Sequence, residues 1–103
     1  MTREELSLLL YLESCAVDSS GAVDGRRMNA DDFTTADRWN QTGYVEFGRI
    51  CAADLRVGGS HWCKLSDAAW IDVHVERRAR AERLWERRSW RSTEEARAAT
   101  GGE

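Results

Sequence analysis

Apolar positions recur with a helical period in three stretches and alternate in two others, and this change of period lays out the chain. In the first stretch Leu6, Leu9, Leu10 and Leu12 include the i, i+3, i+4 spacing of one helix face, while Leu8 and Tyr11 fill the opposite side. Thr2 stands three residues before Glu5, the spacing of a capping box, so a helix is predicted over about residues 3–16. A helix apolar nearly all round must be covered on more than one face. It lies either at the centre of the domain or between its own core and a second subunit.

The stretch "VDSSGAVDGRRM" interrupts the pattern with Ser-Ser-Gly and Asp-Gly, leaving Ala22, Val23 and the residues near Met28 for a short strand or an irregular turn. Asn29 is a good N-cap, and Asp31 and Asp32 fall in the first turn, where the helix dipole favours negative charge. A second helix over about residues 30–42 places Phe33, Ala36 and either Trp39 or Asn40 on one stripe. Gly43 then supplies the left-handed residue that ends the helix, and Tyr44 should pack on Trp39.

"YVEFGRIC" alternates, with Val45, Phe47 and Arg49 on one side and Tyr44, Glu46 and Ile50 on the other. Gly58-Gly59 is a turn signal, and "HWCKL" reads as a second strand with His61, Cys63 and Leu65 on one face. Ser66 caps a last helix with Asp67 in its first turn, expected to run to about Trp90, on the order of 35 Å. Trp70, Val73, Ala81 and Leu84 supply its apolar stripe, with Ile71, Val75 and Trp85 beside it. Residues 1–91 therefore read as one domain, and 92–103 as a flexible polar tail.

Composition narrows the class. With 103 residues the chain holds one modest core, and 42% hydrophobic with 32% charged residues describes a folded domain. The longest apolar run, Leu8 to Leu12, is too short to span a bilayer, and no secretory signal pattern opens the chain. Three cysteines without paired spacing make no disulfide framework, so a reducing cytoplasm is expected. Five tryptophans are many for this length and point to core anchors or an interface.

The overall charge of −3 hides an asymmetry. Residues 1–72 carry seven basic and twelve acidic side chains, net −5, whereas residues 73–103 carry eight basic and six acidic, net +2. Seven arginines crowd residues 77–91, interleaved with Trp85 and Trp90. Such a layout steers a partner or forms the solvated face of a long helix.

The order helix, broken segment, helix, strand, glycine turn, strand, long helix resembles the winged-helix family over roughly residues 3–90. The residues that carry the likeness are "RWNQTGYVEFGRI", the Gly58-Gly59 turn and "CKLSDAAW", the last similar to the step after the wing in MarR-type regulators. The resemblance implies an α+β, winged-helix-like fold with three main helices, a small antiparallel β-hairpin and a long C-terminal helix supporting a homodimer. It departs from the family between residues 17 and 43, where there is room for one clear helix instead of two.

If the resemblance extends to function, the second helix enters a major groove of double-stranded DNA. Arg38, Asn40 and Gln41 then face base edges, and Arg49 and Arg56 meet phosphates. Against this stand Asp31, Asp32 and Asp37 on the same helix, since affinity for DNA depends on neutralising phosphate. The topology thus points to a small DNA-binding transcriptional regulator. The acidic helix points instead to a protein-binding inhibitor or adaptor, of the type of phage or mobile-element proteins that block bacterial defence complexes, anti-CRISPR proteins among them.

Candidate residues for a partner or dimer interface are Leu8, Tyr11, Arg80, Arg83, Leu84, Trp85, Arg87 and Trp90. Cys51, His61, Cys63 and His74 carry the right ligand atoms for zinc but lack its tight paired spacing, so no metal or other cofactor is expected. There is no phosphate loop, nucleophile elbow or paired-histidine zinc motif, and no nucleophile can be named beside either histidine, so no enzymatic activity is expected.

Overall fold

Thr2 and Glu5 do close the capping box: the Thr2 hydroxyl accepts from the Glu5 amide at 3.1 Å, and the Glu5 carboxylate accepts from the Thr2 amide at 3.4 Å. The computed structural model describes residues 1–51 and 59–99, with side chains through residue 88. Helix α1 (Arg3–Asp18) runs two residues past its expected end. It packs against the other two helices and two of the three strands, so the central position is the one that covers its apolar circumference. Leu9 and Leu12 are fully buried, each worth about 1.5–3 kcal/mol relative to exposure.

The Ser-Ser-Gly break is a tight turn. Ser20 and Gly21 both take positive φ, and a Cβ on Gly21 would lie 2.7 Å from the Cys63 carbonyl oxygen. The turn delivers β1 (Ala22–Val23) to the sheet, and Gly25–Arg27 forms one turn of 3-10 helix. Helix α2 (Ala30–Thr42) starts on Asn29, which accepts from the Asp32 amide at 2.8 Å while Asp32 accepts from the Asn29 amide at 3.1 Å. It stops as expected: Gly43 is left-handed, its amide reaches Asn40, and the Tyr44 amide donates to the Trp39 carbonyl at 3.0 Å. The Trp39 and Tyr44 rings meet edge to face at 5.4 Å. Of the two candidates for the core stripe, Trp39 is the buried one.

Strands β2 (Val45–Arg49) and β3 (His61–Leu65) pair antiparallel, with Phe47 opposite Cys63. The expected hairpin is part of a three-stranded sheet in the order β1-β3-β2, because Val23 and Ala22 pair with His61 and Trp62. Among the described residues, three α-helices and a three-stranded antiparallel sheet make a small α+β fold. The Gly58 part of the glycine turn lies outside the described residues.

Ser66 caps helix α3 (Asp67–Ala99): its hydroxyl accepts from the Ala69 amide at 3.2 Å and donates to the Tyr44 carbonyl at 2.7 Å. The helix is longer than expected, passing Trp90 to Ala99. Its core stripe also differs. Ala69 and Val73 are buried, whereas Ala81 and Leu84 are exposed, because α1 reaches its N-terminal end at that level and nothing among the described residues covers them. Arg77 ties α3 to α1: its Nε donates to both carboxylate oxygens of the buried Glu13, at 3.0 and 3.1 Å.

Candidate protein interface

Of the five side chains expected to read DNA, two, Arg38 and Asn40, are engaged within the chain. Arg38 donates to Glu5 at 2.7 Å, holding α2 to α1. The Asn40 carboxamide oxygen accepts from the Phe47 amide at 3.0 Å, holding α2 to β2. Gln41 and Arg49 are exposed, and Arg56 lies outside the described residues. Asp31 and Asp37 are exposed on the same helix, so its solvent side pairs two carboxylates with one neutralised guanidinium.

Two of the expected interface residues belong to the interior. Leu8 is 4% exposed within the core. Tyr11 is half-buried, and its hydroxyl donates to the Asp24 carbonyl at 3.1 Å and accepts from the Asp24 amide at 3.2 Å. Burial pushes its phenol up to about 12. The side chain of Trp90 lies outside the described residues.

The others come together on α3. Residues 81–88 are all exposed, including Leu84 at 57% and Trp85 at 69%. Consecutive residues lie roughly 100° apart around a helix, so these two side chains belong to different outer surfaces of α3. On Leu84's side, an open groove of about 680 Å³ runs between the N-terminal turns of α1 and the distal part of α3. Leu6 and Leu84 form its apolar floor, and Arg3, Arg80, Arg83 and Arg87 stand around them. Among the described residues lining it, Glu76 is the one carboxylate. It accepts from Arg80 at 2.9 Å and Arg83 at 3.2 Å, and these two bonds, Arg80 first, hold its carboxyl below the usual carboxylate range. The groove therefore presents fixed positive charge around a leucine pair. Arg3 and Leu6 were not legible as part of it, since only the antiparallel packing of α1 on α3 places them there.

On Trp85's side, Ile71, Val75, Arg78, Glu82 and Trp85 follow each other at spacings of four and three residues, the pattern of a helix-pairing seam. Ile71 is 63% and Val75 65% exposed, and Arg78 donates to Glu82 at 3.0 Å. That 4-3-4-3 spacing is present in the sequence and could have drawn attention to Ile71 and Val75.

A third feature is a small pocket lined by Phe33, Asp37, Phe47, Gly48, Arg49 and His61. The His61 ring stacks on Phe47 at 5.2 Å, and its Nδ1 lies 2.8 Å from the Ser60 hydroxyl, which also accepts from the Gly25 amide at 3.0 Å. Burial first, and then the Arg49 charge, hold His61 below the usual imidazole value, with Asp37 opposing.

The four residues considered for zinc are dispersed. Cys63 is buried and donates to the Leu12 carbonyl, Cys51 is exposed, His61 packs on Phe47, and His74 lies beside Trp70 on α3. Burial pushes the Cys63 thiol up to about 12, away from the thiolate a metal requires. Among the described residues no cluster of three or more His, Cys, Asp or Glu has metal-binding geometry. No helix among them is long and apolar enough to cross a membrane. Set against protein-family models, curated proteins and solved structures, the chain matches none.

Proposed function

We propose that this chain is a protein-binding adaptor or inhibitor that grips an acidic, amphipathic helix of its partner in the groove between α1 and α3. The observation that carries this reading is the exposed Leu84 set among Arg3, Arg80, Arg83 and Arg87. Leucine on a partner helix fills the floor between Leu6 and Leu84, and carboxylates on its flanks meet the guanidiniums, the helix-in-groove mode of recognition.

The test uses two synthetic helical peptides with leucine at i, i+4 positions, one flanked by glutamates and one by lysines. The acidic peptide is expected to bind, and R83E or L84A to weaken it about tenfold or more. Equal binding of both peptides, or none at low salt, overturns the reading.

A second reading keeps the DNA-binding regulator on a winged-helix-like scaffold. It is supported by the element order, with one 3-10 turn between α1 and α2, and by the β1-β3-β2 sheet order. It demands binding to a random-sequence duplex that falls steeply with salt. The Glu5 partner of Arg38 and the exposed Asp31 and Asp37 weigh against it.

A further inference from the structure

The outer face of α3, opposite the arginine groove, has a sequence that complements itself when reversed. In order it reads Val75, Arg78, Glu82, Trp85, apolar then basic then acidic then apolar, on one stripe spanning about 80° of the helix circumference. All four side chains are exposed, as is Ile71 on the same stripe. A large apolar stripe held in water on a long helix needs a cover, and here the charges between its apolar residues say which.

We propose that this face pairs with the same face of a second copy of the chain, antiparallel, about a two-fold axis beside residue 80. In that register Val75 packs on the partner's Trp85 and Trp85 on the partner's Val75. Between them, Arg78 meets the partner's Glu82 and Glu82 meets the partner's Arg78. Ile71 extends the seam at each end. Ala79 and Ala81 flank the axis with small side chains, which lets the two helices approach closely.

Other arrangements fail on charge. A parallel pair sets Arg78 against the partner's Arg78 and Glu82 against its Glu82. Sliding the antiparallel pair by one heptad sets Ile71 against the partner's Glu82 and Val75 against its Arg78. In the proposed register one flank brings Asp72 towards the partner's Glu86, but Asp72 is turned to the Tyr44 hydroxyl, which donates to it. The interface is isologous and closes at two copies. It leaves the α1–α3 groove open on each copy, so it stands whether or not that groove binds a partner helix.

The experiment is sedimentation equilibrium under reducing conditions on the full chain and three variants, R78E, E82R and W85A, with circular dichroism verifying equal helicity. The wild type is expected to dimerise, and W85A to weaken the dimer about a hundredfold. Each charge reversal alone gathers four like charges at the seam centre and should weaken the dimer about tenfold or more. Mixing R78E with E82R restores both cross-helix ion pairs, so the mixture should form a one-to-one heterodimer although each variant alone does not pair. Restoring the Arg78–Glu82 contact within a single helix cannot produce that result. A wild type that stays monomeric at the highest attainable concentration, charge variants that dimerise as strongly as the wild type, or a mixture that fails to associate overturns the proposal.

Discussion

The body of the domain and the distal part of α3 are built from the same residue types and use them in opposite ways. In the body, Leu9, Leu12, Val23, Val45 and Val73 are fully buried, and the charged Glu13 is matched by Arg77. Residues 81–88, from Ala81 to Arg88, are all exposed and include a leucine, a tryptophan and three arginines. The difference teaches that apolar surface in the body serves the fold of one chain, whereas on distal α3 it has no partner within the described residues. Stability and association should therefore map to different residues.

The largest effect expected in the body is that of Trp39→Ala, which removes a buried ring from the Tyr44 clasp. A loss of about 3–5 kcal/mol is expected, a large share of the roughly 5–15 kcal/mol that holds a domain of this size folded, read as a lowered midpoint in a thermal or urea melt. Retention of most of the stability would show that the clasp is peripheral. Arg77→Ala comes next. It strands the buried Glu13 carboxylate, and a cost of about 2 kcal/mol is expected, below the range for fully buried pairs because Arg77 itself is half exposed. Arg78→Ala, one residue on and facing water, should change the stability of the monomer by no more than about 0.5 kcal/mol.

A smaller effect is set by pH. His61 is held below its ordinary value of 6.5, so the folded state favours the neutral ring. Its stabilisation is present above about pH 6.5 and is lost as pH falls through that value towards the lowered one. Urea melts between about pH 7 and 5.5 should show a slope that His61→Phe, which keeps a ring on Phe47 but cannot titrate, removes. The smallest effect sharpens the comparison most. Leu84→Ala and Trp85→Ala should shift monomer stability by no more than about 0.5 kcal/mol, as exposed positions do, while changing association. A larger loss would mean that distal α3 belongs to the core.

Local signals were legible and distant ones were not. Thr2 with Glu5, Asn29 as a cap, and Gly43 with Tyr44 and Trp39 all act within a few residues, and spacing alone encodes them. The reciprocal bond from Asp32 was missed because aspartate is not the usual third residue of a capping box. The Arg77–Glu13 pair spans sixty-four residues and leaves no local pattern. The stripe on α3 was misassigned for a related reason. Helical period says which residues share a face but not where along the helix the body ends, so Ala81 and Leu84 read as core although α1 stops short of covering them. Arg38 and Asn40 were chosen for their side-chain chemistry, and chemistry does not reveal that Glu5 and the Phe47 amide already satisfy them.

The Asn40 bond has a consequence for the open edge of the sheet. β2 is an edge strand, and Ile50 just past it donates to Ser60. Alternation then turns the Phe47 amide away from β3, towards the open side of the sheet. An open edge is a template on which a stray strand can add and seed aggregation. Asn40 occupies the central amide of that edge, leaving an incoming strand without the bond that would fix its register. A side chain whose chemistry suits a nucleic acid base is spent here on capping one amide of a sheet edge, which disfavours strand addition at that point.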